Sequence, residues 1–321
     1  MMKKLLLALV AMMAATMNFA QNTVVATLSH GTDITVYYSV KALQQAVAQA
    51  ESGDVINLSG GVFNAASIAK GITVRGAGID SDNPTYVVGD FTIEIPTDDA
   101  KTFMMEGVRC QNTMTLKGAF KNPYFLKSQI QKIEGYDEND AIQNIMIVNC
   151  KVLGGIGLRG NSTLNLVNSY AGINYRNENA TIMATNCFLS TYAGNGRFDY
   201  AQLYNCILSA PSGSPESGLS ETCQAVNCVS TRLGGRYYTN IFPASCINCL
   251  YDIQGIIKDA ETLELTDEAK TTYLGVDGTE VGMYGGLQPY NTTPSYPLIT
   301  KMAVNKETDD EGKLGVTIEV K

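Results

Sequence analysis

Six times between residues 146 and 250 the chain writes a short lead, an asparagine and then a cysteine or serine: IVNC, LVNS, ATNC, LYNC, AVNC and CINC. The asparagines are Asn149, Asn168, Asn186, Asn205, Asn227 and Asn248, so the steps are 19, 18, 19, 22 and 21 residues. A period near 20 with one short apolar figure per period is the mark of a solenoid, because one such unit cannot bury its apolar face without a neighbour. Ile145 and Ile147, Leu164 and Leu166, Ile182 and Ala184, and Ala201 and Leu203 stand four and two places before their asparagines. Cys150 and Val152, Ser169 and Ala171, Cys187 and Leu189, and Cys206 and Leu208 stand one and three places after. Both flanks alternate with period 2, so both are strands with one face inside.

The asparagine marks the bend between the strands, since it is the non-glycine residue best able to take a left-handed corner. The expected path is a winding chain with a parallel sheet on each side of an asparagine corner, and with stacked asparagine side chains bonded from coil to coil. Cys150, Cys187, Cys206, Cys228 and Cys249, with Ser169 in the remaining copy, read as a ladder of small buried side chains. Cys223 and Cys246 fall off that ladder, and with Cys249 they are the cysteines that could bridge, a free state being the reading preferred. One His and a single CINC do not make a four-ligand zinc site.

Ser39–Ser52 places Val40, Leu43 and Val47 on one helical face with Ser39 as N-cap, which suits a helix closing the first coil. The stretch ALQQAVAQAESGDVINLSGGVF followed by ITVRGAG resembles the N-terminal cap and first coil of the pectin lyase-like family of secreted right-handed parallel β-helix proteins. GVDGTEVGMYGG (Gly275–Gly286) is similar to the closing segment of many bacterial members. The resemblance spans Ser39 to Gly286. It implies an all-β fold, a right-handed parallel β-helix of about ten coils, with an N-terminal capping helix. The expected division is a signal peptide at 1–20, a lead segment and helix at 21–52, the solenoid at 53–289, and a linker with a short β-hairpin at 290–321.

Lys3 and Lys4 before the apolar Leu5–Met13 read as a secretory signal cleaved near Ala20–Gln21, too short to span a bilayer. No other segment reads as a transmembrane span. The formal net charge of −8 and a pI near 4.8 argue against a nucleic-acid partner. The protein is expected to be exported by a bacterium, outside the cytoplasm or on the cell surface.

Outward side chains of such a solenoid stack into rows. Arg159, Arg176 and Arg197 fall in three successive coils, with Asn174 and Asn195 beside them; stacked guanidinium groups repel unless an anion lies across them. An acidic polysaccharide held by forked contacts is the expected partner. The alternative is an ordinary wet face balanced by Glu178 and Asp199. A second row, Lys151, Tyr170, Phe188, Ile207, Val229 and Leu250, is outward yet mostly apolar. It is read as covered by a loop or the C-terminal hairpin, or as open to sugar rings or a protein partner, the last giving an adhesion or structural protein. The resemblance implies a polysaccharide lyase or glycoside hydrolase if the chain is an enzyme. None of that family's catalytic sets carries over, leaving Asp199 and Arg197, and then Asp252, as the groups to test. The turns Asp80–Asn83 and Asp137–Asp140 offer oxygen ligands of the kind Ca2+ takes; no other metal or cofactor is expected. Gly155, Gly157 and Gly160 spell G-x-G-x-x-G, but the following residues read as a strand, where a dinucleotide site needs a helix. His30 stands alone before the cap and is read as structural or exposed.

Overall fold

The computed structural model describes residues 24–173, 180–191, 197–198, 200–209, 218–231, 245–297, 299–308 and 314–320. Two parallel sheets run the length of the chain's winding: an upstream sheet whose strands enter the asparagine corner, and a downstream sheet whose strands leave it. The fold is a parallel β-solenoid of the right-handed type. Nine rungs hold a strand in both sheets and are separated by about eight turns, not the ten expected. The excess arises at the ends. The last coil meets the upstream sheet only through a single bridge, Val226 to Ile247. At a strand spacing of about 4.8 Å the winding is about 40 Å long.

The period-2 reading fixes which side chains face inward. Ile145, Ile147, Leu164, Leu166, Ile182, Ala184, Ala201 and Leu203 upstream, and Val152, Ala171, Leu189 and Leu208 downstream, are all buried in one core. Upstream registers are unbroken through these coils, Ile147 pairing Leu166, Leu166 pairing Ala184 and Ala184 pairing Leu203. Each asparagine of the repeat takes a left-handed backbone, with φ between 44° and 52° for Asn149, Asn168, Asn186, Asn227 and Asn248 and 54° for Asn205. Lys127 (φ 48°) and Gly107 (φ 70°) occupy the same corner in the two preceding coils.

The residue after the corner explains the cysteines. Its thiol or hydroxyl donates back to the carbonyl two residues earlier: Ser128 to Leu126 (2.8 Å), Cys150 to Val148 (3.3 Å) and Ser169 to Val167 (2.7 Å). Cys187, Cys206, Cys228 and Cys249 repeat the bond to Thr185, Tyr204, Val226 and Ile247 at 3.2–3.4 Å. A small donor that tolerates burial fits this place, and serine and cysteine are the two that recur. All eight cysteines are free, including Cys223, Cys246 and Cys249, so no bridge forms there. Burial pushes the Cys150 thiol up to about 12 and those of Cys206 and Cys228 well above their ordinary value, which leaves them inert as nucleophiles.

Among the described residues the side chains of the repeat asparagines do not bond to one another, against the expectation; the one coil-to-coil amide pair there joins Asn144 to Asn122. Asn168 Nδ2 donates to Met283 O (3.0 Å) and Gly285 O (2.7 Å), and Asn205 Oδ1 accepts from Val276 N (3.0 Å). The amide groups face outward at the corner and meet the backbone of a covering segment. Asn149, Asn186 and Asn227 keep buried Oδ1 atoms without a partner.

At the N-terminal end, β1 (Val25–His30) pairs antiparallel with both β2 (Asp33–Tyr38) and β3 (Val55–Leu58), adding a hairpin to the upstream sheet that was not anticipated. Helix α1 (Ala42–Gln49) then covers the first coil with Ala42, Leu43 and Ala46 buried. Ser39 is not its N-cap. It has φ 96° and its N–H still bonds Val24 O, so it ends the hairpin, and Val40 is left exposed on the turn. The C-terminal strands Ile299–Thr308 and Leu314–Val320 pair antiparallel with each other and join neither long sheet.

His30 has a partner after all. Its Nδ1 lies 2.8 Å from the buried Asp54 carboxylate, which also accepts from Glu51 N (2.7 Å), and Nε2 lies 3.8 Å from Glu51. The hydrogen bond to Asp54, then the charges of Asp54 and Glu51, raise the His30 pKa above 6.5. A raised folded pKa stabilises fully below the unfolded value near 6.5, and the contribution is lost as pH rises through the raised value. His30→Gln is therefore expected to lower Tm at pH 5.5 and to match the parent at pH 8.5, read by thermal melts at both. A difference independent of pH would assign His30 a packing role only.

Candidate functional site

On the downstream sheet the outward row is Val62, Tyr86, Arg109, Gln129, Lys151, Tyr170, Phe188, Ile207, Val229 and Leu250, in register from strand to strand. Its apolar part is covered by the same chain. Phe188, Ile207 and Val229 form a second core with Ile256, Leu263, Leu265, Ala269, Val281 and Met283, with Tyr170 partly buried against it. The cover is the segment after the last coil, including α2 (Asp267–Thr272), whose first N–H groups are capped by Thr266. The stripe Tyr170, Phe188 and Ile207 thus lies under its own chain and presents no open face to a partner.

The cover continues as a tail that runs back along the corner. Tyr290 stacks over Lys151 (5.6 Å), and Thr292 donates to Asp80 (2.7 Å). Ser295 N donates to the buried Glu106 (2.6 Å), and the Tyr296 ring lies 5.2 Å from the Arg75 guanidinium. Asp80 is therefore committed to the tail and to Arg109. In the other acidic turn Asp140 accepts from Gly118 N (2.7 Å) and Asp137 N (2.6 Å), and Asp137 holds Asn139. The first turn spends Asp80 on the Thr292 and Arg109 side chains and the second spends Asp137 and Asp140 on backbone N–H groups, and among the described residues no group of three or more His, Cys, Asp or Glu side chains is arranged to hold a metal ion.

A further surface lies where each coil turns from the downstream sheet back to the upstream one. A groove of about 510 Å³ opens there across three coils. Its floor is apolar, with Ile95, Phe120 and Ala141, and its rim carries Asp99, Lys101, Thr102, Lys121 and Asn122. Met104 and Tyr124 pair in register, so Lys101 and Lys121, each three residues earlier, hold equivalent places in adjacent coils. Neither lysine has an ion-pair partner among the described residues. Asp99 does not neutralise them by contact. Bonds from Ser52 Oγ, Gly71 N and Lys101 N hold its carboxyl below the usual carboxylate range. The wall is rigid: Thr102 Oγ1 donates to Asn122 O, Asn144 Nδ2 donates to Asn122 Oδ1 (3.2 Å), and Asn122 itself has φ 56°.

Of the expected arginine row, Arg159 is half-buried on this same surface without an ion pair among the described residues. Ile156 pairs Ile173, and each stands three residues before an arginine, which gives Arg159 and Arg176 equal offsets. Ile173 pairs Thr191, which stands six residues before Arg197, so Arg197 falls three positions further along its coil. The Arg197 backbone pairs instead with Gly218 in a separate two-stranded sheet. Arg176, Asn174, Asn195 and Asp199 lie outside the described residues, as does the side chain of Arg197. The segment carrying Gly155, Gly157 and Gly160 is a strand to Gly157 and leads to the strand Thr163–Val167, with no helix between.

Lys101 and Lys121 were missed from the sequence, although DDAKTF and GAFKNP set them 20 residues apart, one coil period. The asparagine figure that revealed the period begins only at Asn149. No protein-family model, no curated protein and no solved structure matches the chain. What stands is an all-β parallel β-solenoid with an open groove whose rim carries Lys101 and Lys121.

Proposed function

We propose that the protein is an exported β-solenoid, akin to the pectin lyase-like proteins, that binds acidic polysaccharide along the groove surface. The observation that carries the reading is the pair Lys101 and Lys121 at equivalent places on the rim of one groove. Two like charges on one rim are unfavourable alone and favourable when one anionic chain spans both. Arg159, two coils further on, extends the same surface, and an apolar floor suits the faces of sugar rings. Export rests on the Lys3–Lys4 and Leu5–Met13 pattern. Cleavage of the glycan is a further possibility, carried by Asp199 and Arg197 as groups to test. The protein-adhesion alternative loses its surface, because the apolar stripe is under the covering segment.

The test is affinity electrophoresis of the chain from Gln21 onward in gels holding polygalacturonate, alginate, chondroitin sulfate or a neutral glucan. Retardation by an acidic polymer, with at least a fivefold weaker interaction in Lys101→Ala/Lys121→Ala and a smaller loss in Arg159→Ala, supports the reading. Equal retardation by neutral glucan, or none by any polymer, sinks it. The same mixtures assayed for new short products decide whether binding is accompanied by cleavage.

A further inference from the structure

We infer that the protein forms a two-fold dimer by pairing β2 edge to edge with β2 of a second copy. Strand β2 is the terminal strand of the 11-stranded upstream sheet, with β1 on one side and, among the described residues, no strand on the other. Such an edge is a template for another strand, and native edges are usually guarded by lysine, proline or a bulge. The β2 sequence, DITVYY, has no lysine or proline, and its register with β1 is unbroken from Asp33 to Tyr38.

The hydrogen-bond parity of the hairpin decides which residues the edge offers. Ser39 N donates to Val24 O (3.2 Å), so residues 37, 35 and 33 also turn their N–H and C=O groups toward β1. Ile34, Val36 and Tyr38 therefore direct their backbone groups to the free edge. The same three residues carry the exposed apolar side chains of the strand, at 67%, 42% and 60% exposure.

Only one self-pairing uses all three of these residues. An antiparallel partner centred on Val36 places Ile34 opposite Tyr38 of the second copy, Val36 opposite Val36, and Tyr38 opposite Ile34. Each is a hydrogen-bonded pair by parity, and each sets a β-branched residue against an aromatic or β-branched one, the cross-strand combinations that stabilise sheets. Asp33 falls opposite Ser39, so no like charges meet. One sheet then runs through both solenoids, and the contact is isologous and closes at two. A single strand pair buries less than the roughly 800 Å² per partner of a stable interface, so the dimer is weak and concentration-dependent. This inference stands independently of glycan binding.

Sedimentation velocity of the chain from Gln21 onward tests it between about 5 µM and 1 mM. The weight-average mass is expected to rise toward twice the monomer value at the upper end. Val36→Lys should remain monomeric at every concentration, while Leu287→Lys, which changes an exposed leucine elsewhere, should dimerise like the parent. Melts of both variants check that the fold is intact. A monomer at 1 mM overturns the inference. So does a dimer that survives Val36→Lys, or a mass that climbs past two copies.

Discussion

Replacement of Gly286 by alanine is expected to unseat the closing segment and destabilise the protein by about 2–4 kcal/mol. Gly286 has φ 80°, and a Cβ there would overlap the Asn186 amide, so the variant meets both a left-handed backbone penalty and a clash. The preceding carbonyl, Gly285 O, is one of the two acceptors for Asn168 Nδ2, and a shift of the segment breaks that bond as well. Lifting the segment uncovers Phe188, Ile207 and Val229, each worth about 1.5–3 kcal/mol when fully buried. The expected signature is a lower Tm, increased binding of a hydrophobic dye, and new protease cleavage between Ile256 and Tyr290. Asn168→Ala should give the same signature from the other side of the contact. Because both changes act on one docked segment, the double variant should lose less than the two single losses combined. Additive losses would mean that Asn168 and Gly286 serve separate structures, and a parent-like melt for Gly286→Ala would mean that the segment is not held there.

Phe125→Ala is expected to cost about 3–5 kcal/mol, the range for removing a fully buried phenylalanine. The side chain is wholly inaccessible in the middle of the core, with the Phe103 ring of the preceding coil 5.9 Å away at 60°. A solenoid is close to one-dimensional, so each coil rests on its two neighbours and the cavity weakens both interfaces of the fourth rung. Urea unfolding is the measurement. A lower midpoint with unchanged slope is expected if the winding still unfolds as one unit, whereas a second transition would show that the chain has been divided at this coil. A loss under 1 kcal/mol would contradict the close packing of the core here.

The corner and the two sheets were legible because each is repeated. The alternation around Asn149, Asn168, Asn186 and Asn205 carries the same physical demand four times, and a left-handed corner selects asparagine visibly. Where the corner is made by Lys127 or Gly107 the demand is met by another residue, and the earlier coils do not announce themselves. A second left-handed corner at Asn122 and Asn144 opens the upstream strands and was also passed over. The hairpin of β1 and β2 was written plainly as VATLSH-GT-DITVYY, with Gly31 at φ 57° in its turn, but attention to the helix hid it. The outward apolar stripe was identified correctly as a row. What covers it has no period, because the covering segment meets the solenoid through its own backbone and scattered apolar residues. The groove was illegible for a related reason: it is made by irregular turns of three coils, and only register brings Lys101 and Lys121 together.

The tail also acts as a ruler. It leaves the last coil near Gly255, crosses Asn227, Asn205 and Asn168 in turn, and finishes with Tyr296 bonded to Gly76 O in the second rung. Its two ends are fixed at opposite ends of the winding, so the number of coils and the length of the tail specify each other. Duplicating one coil would move Gly76 away from Tyr296 by about 4.8 Å, leaving the Arg75 and Glu106 anchors unmet. Most solenoids grow or shrink freely by whole repeats. This one is held to a single length by the segment that follows its last coil.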